Sequence, residues 1–372
     1  MKSILRSTLL TWFLFTIFVL FPFSRHAPAN PPGLGTSFEE VVRLANQEGK
    51  VSYGSSIRPD EAKLVQEGFE KTYPKIKIEF TPDIAQQASE RVMAEALAGM
   101  VDFDLVNVPS ALQVSFRKSG VLAAGLEWRK VFPEAPAEHF SPDGYLTVVS
   151  FIPRVIAYNP ALVPAERIPK TWQDCLDPYW KGKFMVHARA PPFVGLWPAW
   201  GEEKTIQFVK QLKENQPIWG RASNLESALQ VTSGEIPMIC GIHYTTIFNV
   251  LRRDAQAKIG AAFPKETPIG MGETLGVLKG ARNPNAAFLL AGWLASLDGQ
   301  RGAEKIGRAS PFIEGTETRK RLQKAGVKII FGGWAEEEHA PERTKKILAA
   351  WGFPTGKQQR KIVFRRTRNG FT

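Results

Sequence analysis

This chain of 372 residues carries none of the short motifs that mark an enzyme. It has no G-x-S-x-G elbow, no H-E-x-x-H pair, no Walker loop and no G-x-G-x-x-G after a strand. A secreted hydrolase using Ser55 or Ser110 with His187 or His243 therefore has no signature to rest on, and no catalytic residue is expected. There are only two cysteines, Cys175 and Cys240, and they lack the close spacing of a structural zinc site. An exported protein could oxidise them, but nothing in the spacing brings them together. The expectation is two buried free thiols. No internal repeat or heptad pattern is present, and no stretch after residue 24 is long and apolar enough to span a bilayer. Net charge is small in the body as well. Of the net +12, nine charges lie in residues 1–29 and 356–372, which contain no acid. The near-neutral body argues against a nucleic-acid-binding face.

The length suffices for two domains with their own cores, and 44% hydrophobic with 23% charged residues is ordinary for a globular chain. Lys2 and Arg6 precede the uncharged run Ser7–Ser24, and Ala27-Pro28-Ala29 supplies small residues for cleavage. Residues 1–29 thus read as an export signal, with an uncleaved anchor as the alternative. No cysteine follows the run, so a lipoprotein anchor is excluded. Ser37-Phe38-Glu39-Glu40 opens a helix with a capping box, and Gly49 closes it. Val51–Tyr53, the alternating Ile76, Ile78 and Phe80, and Phe103–Val108 read as strands, with helices between them, one from about Gln87 to Met100. Such alternation predicts an open α/β sheet, mainly parallel. Asn283-Pro284 is placed to cap an apolar helix over Ala286–Leu297.

Residues 154–186 hold the densest pattern. Val155–Tyr158 is a strand ended by Asn159-Pro160. Thr171 is placed to cap a short helix carrying Trp172, Leu176 and Tyr179, and Lys181-Gly182-Lys183 turns into the strand Phe184–Val186. The Y-N-x-x-L-V and W-x-D-x-L-D-P-x-W-K-G-K landmarks of this segment resemble the solute-binding proteins of bacterial ABC importers, most closely the iron(III)-type group. The resemblance implies a two-lobe α/β fold of the type II periplasmic-binding-protein kind, each lobe a mainly parallel sheet flanked by helices, joined by a two-strand hinge. The first lobe would be discontinuous, 37–145 plus 265–355, and the second would be 146–264. The tail 356–372 reads as a basic, solvated extension. The implied role is periplasmic capture of a small solute in the interlobe cleft by a monomer, and delivery to an inner-membrane permease.

In open α/β sheets ligands bind beyond the carboxyl ends of strands. Ser55 and Ser56 after the first strand, and Asn107 with Ser110 after the third, suit a polar or anionic ligand, with plain helix capping as the alternative. His187 and Arg189 follow the strand Phe184–Val186, and a guanidinium matches carboxylate or phosphate oxygens. The resemblance places Arg154 where the iron(III)-type group holds the anion that accompanies the metal, against the alternative of a hinge salt bridge. Gly234-Glu235-Ile236-Pro237 leads to His243 and Tyr244, where that group has a tyrosine pair as ferric ligands. Here Thr245 stands in the second position. With one phenol and no carboxylate partner, the expected solute is a small anion rather than Fe(III), with Tyr244 the metal ligand should iron be bound, and no cofactor is expected.

Overall fold

Two sheets, not one, are built from these elements in the computed structural model of the chain, which describes residues 33–353 apart from 56, 82–85, 110–111, 189–191 and 222. The export segment 1–29 and the tail 356–372 lie outside the described residues. The first part of the chain supplies α1 (Phe38–Glu48), β1 (Lys50–Gly54), α2 (Pro59–Thr72), β2 (Lys77–Thr81), α3 (Gln86–Leu97), β3 (Leu105–Val108), α4 (Gln113–Ser119), α5 (Trp128–Val131) and β4 (Leu146–Val148). The middle supplies β5 (Phe151–Tyr158), β6 (Phe184–His187), α6 (Trp197–Glu214), β7 (Ile218–Gly220), α7 (Asn224–Ser233), β8 (Met238–His243), α8 (Tyr244–Arg253), β9 (Gly260–Ala262) and β10 (Glu266–Met271). The last part adds β11 (Thr274–Val277), α9 (Pro284–Leu294), α10 (Leu297–Glu304), α11 (Glu317–Lys324), β12 (Lys328–Ile330) and α12 (Gly333–Trp351).

The first sheet runs β2-β1-β3-β11-β4, and the second β12-β10-β5-β8-β6-β7 with β9 beside β5. In each, the parallel strands that carry a ligand-facing carboxyl end (β1 with β3, β6 with β8) meet one antiparallel strand that has crossed from the other lobe, β11 or β5. The crossings lie at Val149-Ser150 and Gly272-Glu273 and are bonded to each other. Val149 N donates to Glu273 O (2.9 Å), Gly272 N to Ser150 O (2.8 Å), and Glu273 N to Ser150 Oγ (2.7 Å). Gly272 is required there, because a Cβ would collide with Ser150 Oγ.

The core of the first lobe is α9, with Asn285 through Leu294 all buried. A helix apolar on every face must be enclosed. Phe288 packs on Trp128 (4.4 Å between ring centroids) and Phe132 (5.3 Å), and burying one such ring is worth about 1.5–3 kcal/mol. Asn283 does not cap this helix with its side chain. Glu48 does so from α1, accepting from Asn285 N at 3.1 Å and Ala286 N at 2.7 Å. The helix ends at Leu294 rather than Leu297, because Ser296 caps a separate α10 by accepting from Gly299 N.

Three features of the second lobe depart from expectation. The segment after Thr171 forms two 3-10 turns, Gln173–Leu176 and Pro178–Trp180, instead of one helix. From inside the first turn, Asp174 Oδ2 accepts from the N–H groups of Lys170 and Thr171 and so braces the loop that enters it. Cys175 and Cys240 are disulfide-bonded, not free thiols. The first 3-10 turn lies over β8, so residues 65 apart in sequence meet in one apolar cluster. Finally, the carboxyl-terminal segment lies in the second sheet rather than the first lobe. Strand β12 pairs with β10, and Ile347 and Trp351 of α12 are buried with Phe193 and Val209. The opening turns of α12 also reach the first lobe, where Trp334 packs among Val108, Leu112 and Phe116 and Glu338 meets Arg117 at 3.1 Å.

Candidate functional site

At the carboxyl end of β1, Ser55 is fully buried and committed to a turn. Its N–H donates to Thr81 O (3.1 Å) and its Oγ accepts from Ile57 N (3.2 Å). Asn107 lies within β3 opposite Leu275, buried, and its Nδ2 has no hydrogen-bond partner among the described residues. Ser56, Ser110 and Arg189 lie outside the described residues.

The second lobe gathers the cationic groups. Arg154 and His243 are register partners on the antiparallel strands β5 and β8, and His187 ends the neighbouring strand β6. His243 is held well below the usual imidazole range, first by burial and then by the charges of Arg154, His187 and Arg308. Arg308, from the first lobe, is engaged by Glu273 at 2.9 Å and Glu61 at 3.8 Å. Arg154 makes no ion pair among the described residues. Burial pulls its guanidinium down to about 10, with Glu337 acting in the opposite direction, so it is charged at neutral pH.

Arg154 opens onto a cavity of about 470 Å³ beside the hinge. One wall is β10 with Ile269, Gly270 and Met271, another is the turn at Pro192–Gly195, and the third is the start of α12. The guanidinium passes over Gly270, where a Cβ would stand 3.1 Å from Nη2. From α12 come Glu336, Glu337 and Arg343. Glu336 is paired with Arg343, which also lies over the Trp197 ring at 5.4 Å.

Tyr244 is the first residue of α8 and is buried. Its ring packs on Phe263 (5.1 Å) and lies under the Arg321 guanidinium (5.2 Å). Burial pushes its phenol up, which opposes the phenolate that ferric iron needs. Thr245 is buried beside it. Among the described residues no three His, Cys, Asp or Glu side chains are placed to hold a metal ion. The residues present do not fit a tripositive cation, because burial keeps the one phenol, Tyr244, protonated and no cluster of carboxylates stands with it among the described residues.

Sequence reasoning placed a closing helix at Glu342–Ala350 and missed the first turns of α12, and with them Glu336 and Glu337. The run Glu336-Glu337-Glu338 looks like a solvated helix face. The available signal was Gly332-Gly333 directly before it, a glycine pair that lets a helix start close to other backbone.

Two α/β lobes, two bonded crossing strands and a pocket at the carboxyl ends of the second sheet define a type II periplasmic-binding-protein fold. The family model of the bacterial extracellular solute-binding proteins matches residues 65–326, and the chain belongs to that family. A curated relative from Haemophilus influenzae, described as an uncharacterized protein, is 25% identical over 234 residues. That match covers 59% of this chain and 64% of the relative, so the chain spans less than two thirds of the relative's length. Among solved structures, the Trichodesmium FutA protein in complex with iron and citrate superposes with a TM-score of 0.67 at 18% identity, covering 82% of this chain and all of that one. The structure titled Atu4243-GABA receptor superposes at 0.60, with 18% identity, covering 82% of this chain and 99% of that one. The fold thus serves proteins whose titles name chemically different ligands.

Proposed function

We propose that this protein is the periplasmic solute-capturing component of an ABC importer and that it binds a small anionic solute without transforming it. The supporting observation is Arg154: a half-buried guanidinium without an ion pair, opening onto a cavity of about 470 Å³. A buried charge left unpaired is costly, and an anionic solute supplies the missing partner with a planar, two-bonded geometry. The cavity is of the size that takes a small organic ligand. His243, the register partner of Arg154, and Tyr244 after it stand at the end of β8 outside the lining of this cavity and are carried forward as candidate contacts. The remaining site expectations, Ser56, Ser110, His187 and Arg189, are carried forward as candidate contacts of this cleft. Binding would draw the lobes together about the two crossing strands, and the closed form would be recognised by an inner-membrane permease.

The test is thermal-shift screening of the purified mature protein with carboxylates, phosphonates, phosphate and ferric citrate. At least one anion is expected to raise the melting temperature, and Arg154→Gln is expected to abolish the shift without lowering the melting temperature of the free protein. Stabilisation by neutral or cationic solutes alone would overturn the anionic reading. A ferric complex with a visible phenolate charge-transfer band, lost in Tyr244→Phe, would replace it with the iron reading.

A further inference from the structure

We propose that the solute of this pocket is zwitterionic, its anionic group on Arg154 and its amino group on Glu337. This rests on the anionic reading above and extends it.

Arg154 and Glu337 line the same cavity from different walls, β5 and α12. Each feels the other's charge. Yet they form no ion pair with each other, and neither makes a hydrogen bond among the described residues. The surrounding charges are already committed. Glu336 is taken by Arg343, Glu338 by Arg117, and Arg308 by Glu273. Among the described residues the cavity therefore leaves open one cation and one anion that do not pair with each other. A solute carrying only an anion would satisfy Arg154 and leave a half-buried carboxylate without a partner. A solute carrying both charges satisfies both. Pro341 adds a second acceptor on the same side. It lines the cavity and has no N–H, so the carbonyl of Glu337 lacks its i+4 helical donor. A carboxylate and a carbonyl suit an ammonium group with three donors. Between the two charged ends the lining is apolar, with Val194, Ile269, Met271 and Phe331. That fits a short hydrocarbon link, as in an amino acid or an aminophosphonate.

The experiment is titration calorimetry of the purified protein with matched pairs: γ-aminobutyrate against butyrate, 5-aminopentanoate against pentanoate, and L-valine against isovalerate. At least one amino acid is expected to bind on the order of tenfold more tightly than its amine-free counterpart. Glu337→Gln should bring that pair to within about twofold by weakening only the amino acid, since a neutral amide ends the charge attraction. Arg154→Gln should weaken both members. If the amine-free acid binds as well as the amino acid, or if Glu337→Gln leaves the preference intact, the zwitterion is wrong while the anionic reading stands. If no member binds, the zwitterion is wrong and the anionic reading is decided by the phosphonates and phosphate of the thermal-shift screen; if Arg154→Gln leaves the bound acids unaffected, both fall. The wild-type comparison decides the matter even should the Glu337 variant fold poorly.

Discussion

Cutting the Cys175–Cys240 bridge should cost this protein a large share of its stability. Both residues are fully buried in the apolar cluster of the second lobe, and the bridge joins positions 65 apart. A cross-link stabilises mainly by removing conformations from the unfolded chain. For a loop of that length the chain-entropy relation gives about 4 kcal/mol. Replacing both residues by alanine adds the loss of two buried sulfurs, on the order of 1 kcal/mol each. Urea unfolding followed by tryptophan fluorescence can separate these contributions. Oxidised protein against dithiothreitol-reduced protein reports the cross-link alone, and Cys175→Ala/Cys240→Ala reports both. The expected order of stability is oxidised, then reduced, then double alanine. Oxidised and reduced forms of equal stability would refute the entropic reasoning. Two reactive thiols in the denatured, unreduced protein would refute the bridge itself. Protein made in a reducing cytosol should unfold like the reduced form.

Two further perturbations read other parts of the fold. Glu48→Ala removes the acceptor for two backbone N–H groups at the start of α9, and chemical denaturation should show a loss of about 2 kcal/mol; a loss below about 0.5 kcal/mol would mean that water replaces the cap. Glu273, at one hinge crossing, is pushed by burial from 4.5 up to about 7, with Arg308 pulling the other way. The folded protein then binds more protons than the unfolded chain between those values, so this group's contribution to stability falls as pH rises from 4.5 through 7. The full effect is at most about 3 kcal/mol. Melting temperatures across pH 5 to 8 should be flatter in Glu273→Gln than in the wild type, and parallel curves would contradict this.

Much of the architecture was legible because it rests on short-range chemistry. The Ser37 N-cap and the closing Gly49 appear as read, but the capping box is not completed: the Glu40 carboxylate accepts from the N–H of Thr36 instead of that of Ser37. The parallel β1, β2 and β3 also appear, since alternating apolar residues admit one buried face. The site was half legible. Arg154, His243 and Tyr244 sit together because β5 and β8 are register neighbours, a placement that follows from strand order. Ser55 is a buried turn residue whose hydroxyl accepts from the N–H of Ile57, a local role that the sequence offered beside ligand contact.

The sequence by itself determined an α/β class of fold, because periodicity, caps and turn residues act within a few positions of one another; the two lobes and their paired crossing followed only from the resemblance carried by residues 154–186. Only the tertiary structure decided what lies across the pocket. The disulfide, the Glu48 cap and the docking of α12 on the second sheet join residues 65 to more than 200 positions apart. No local pattern encodes such pairings. They are settled by which apolar faces bury each other, and that packing sets Glu337 facing Arg154.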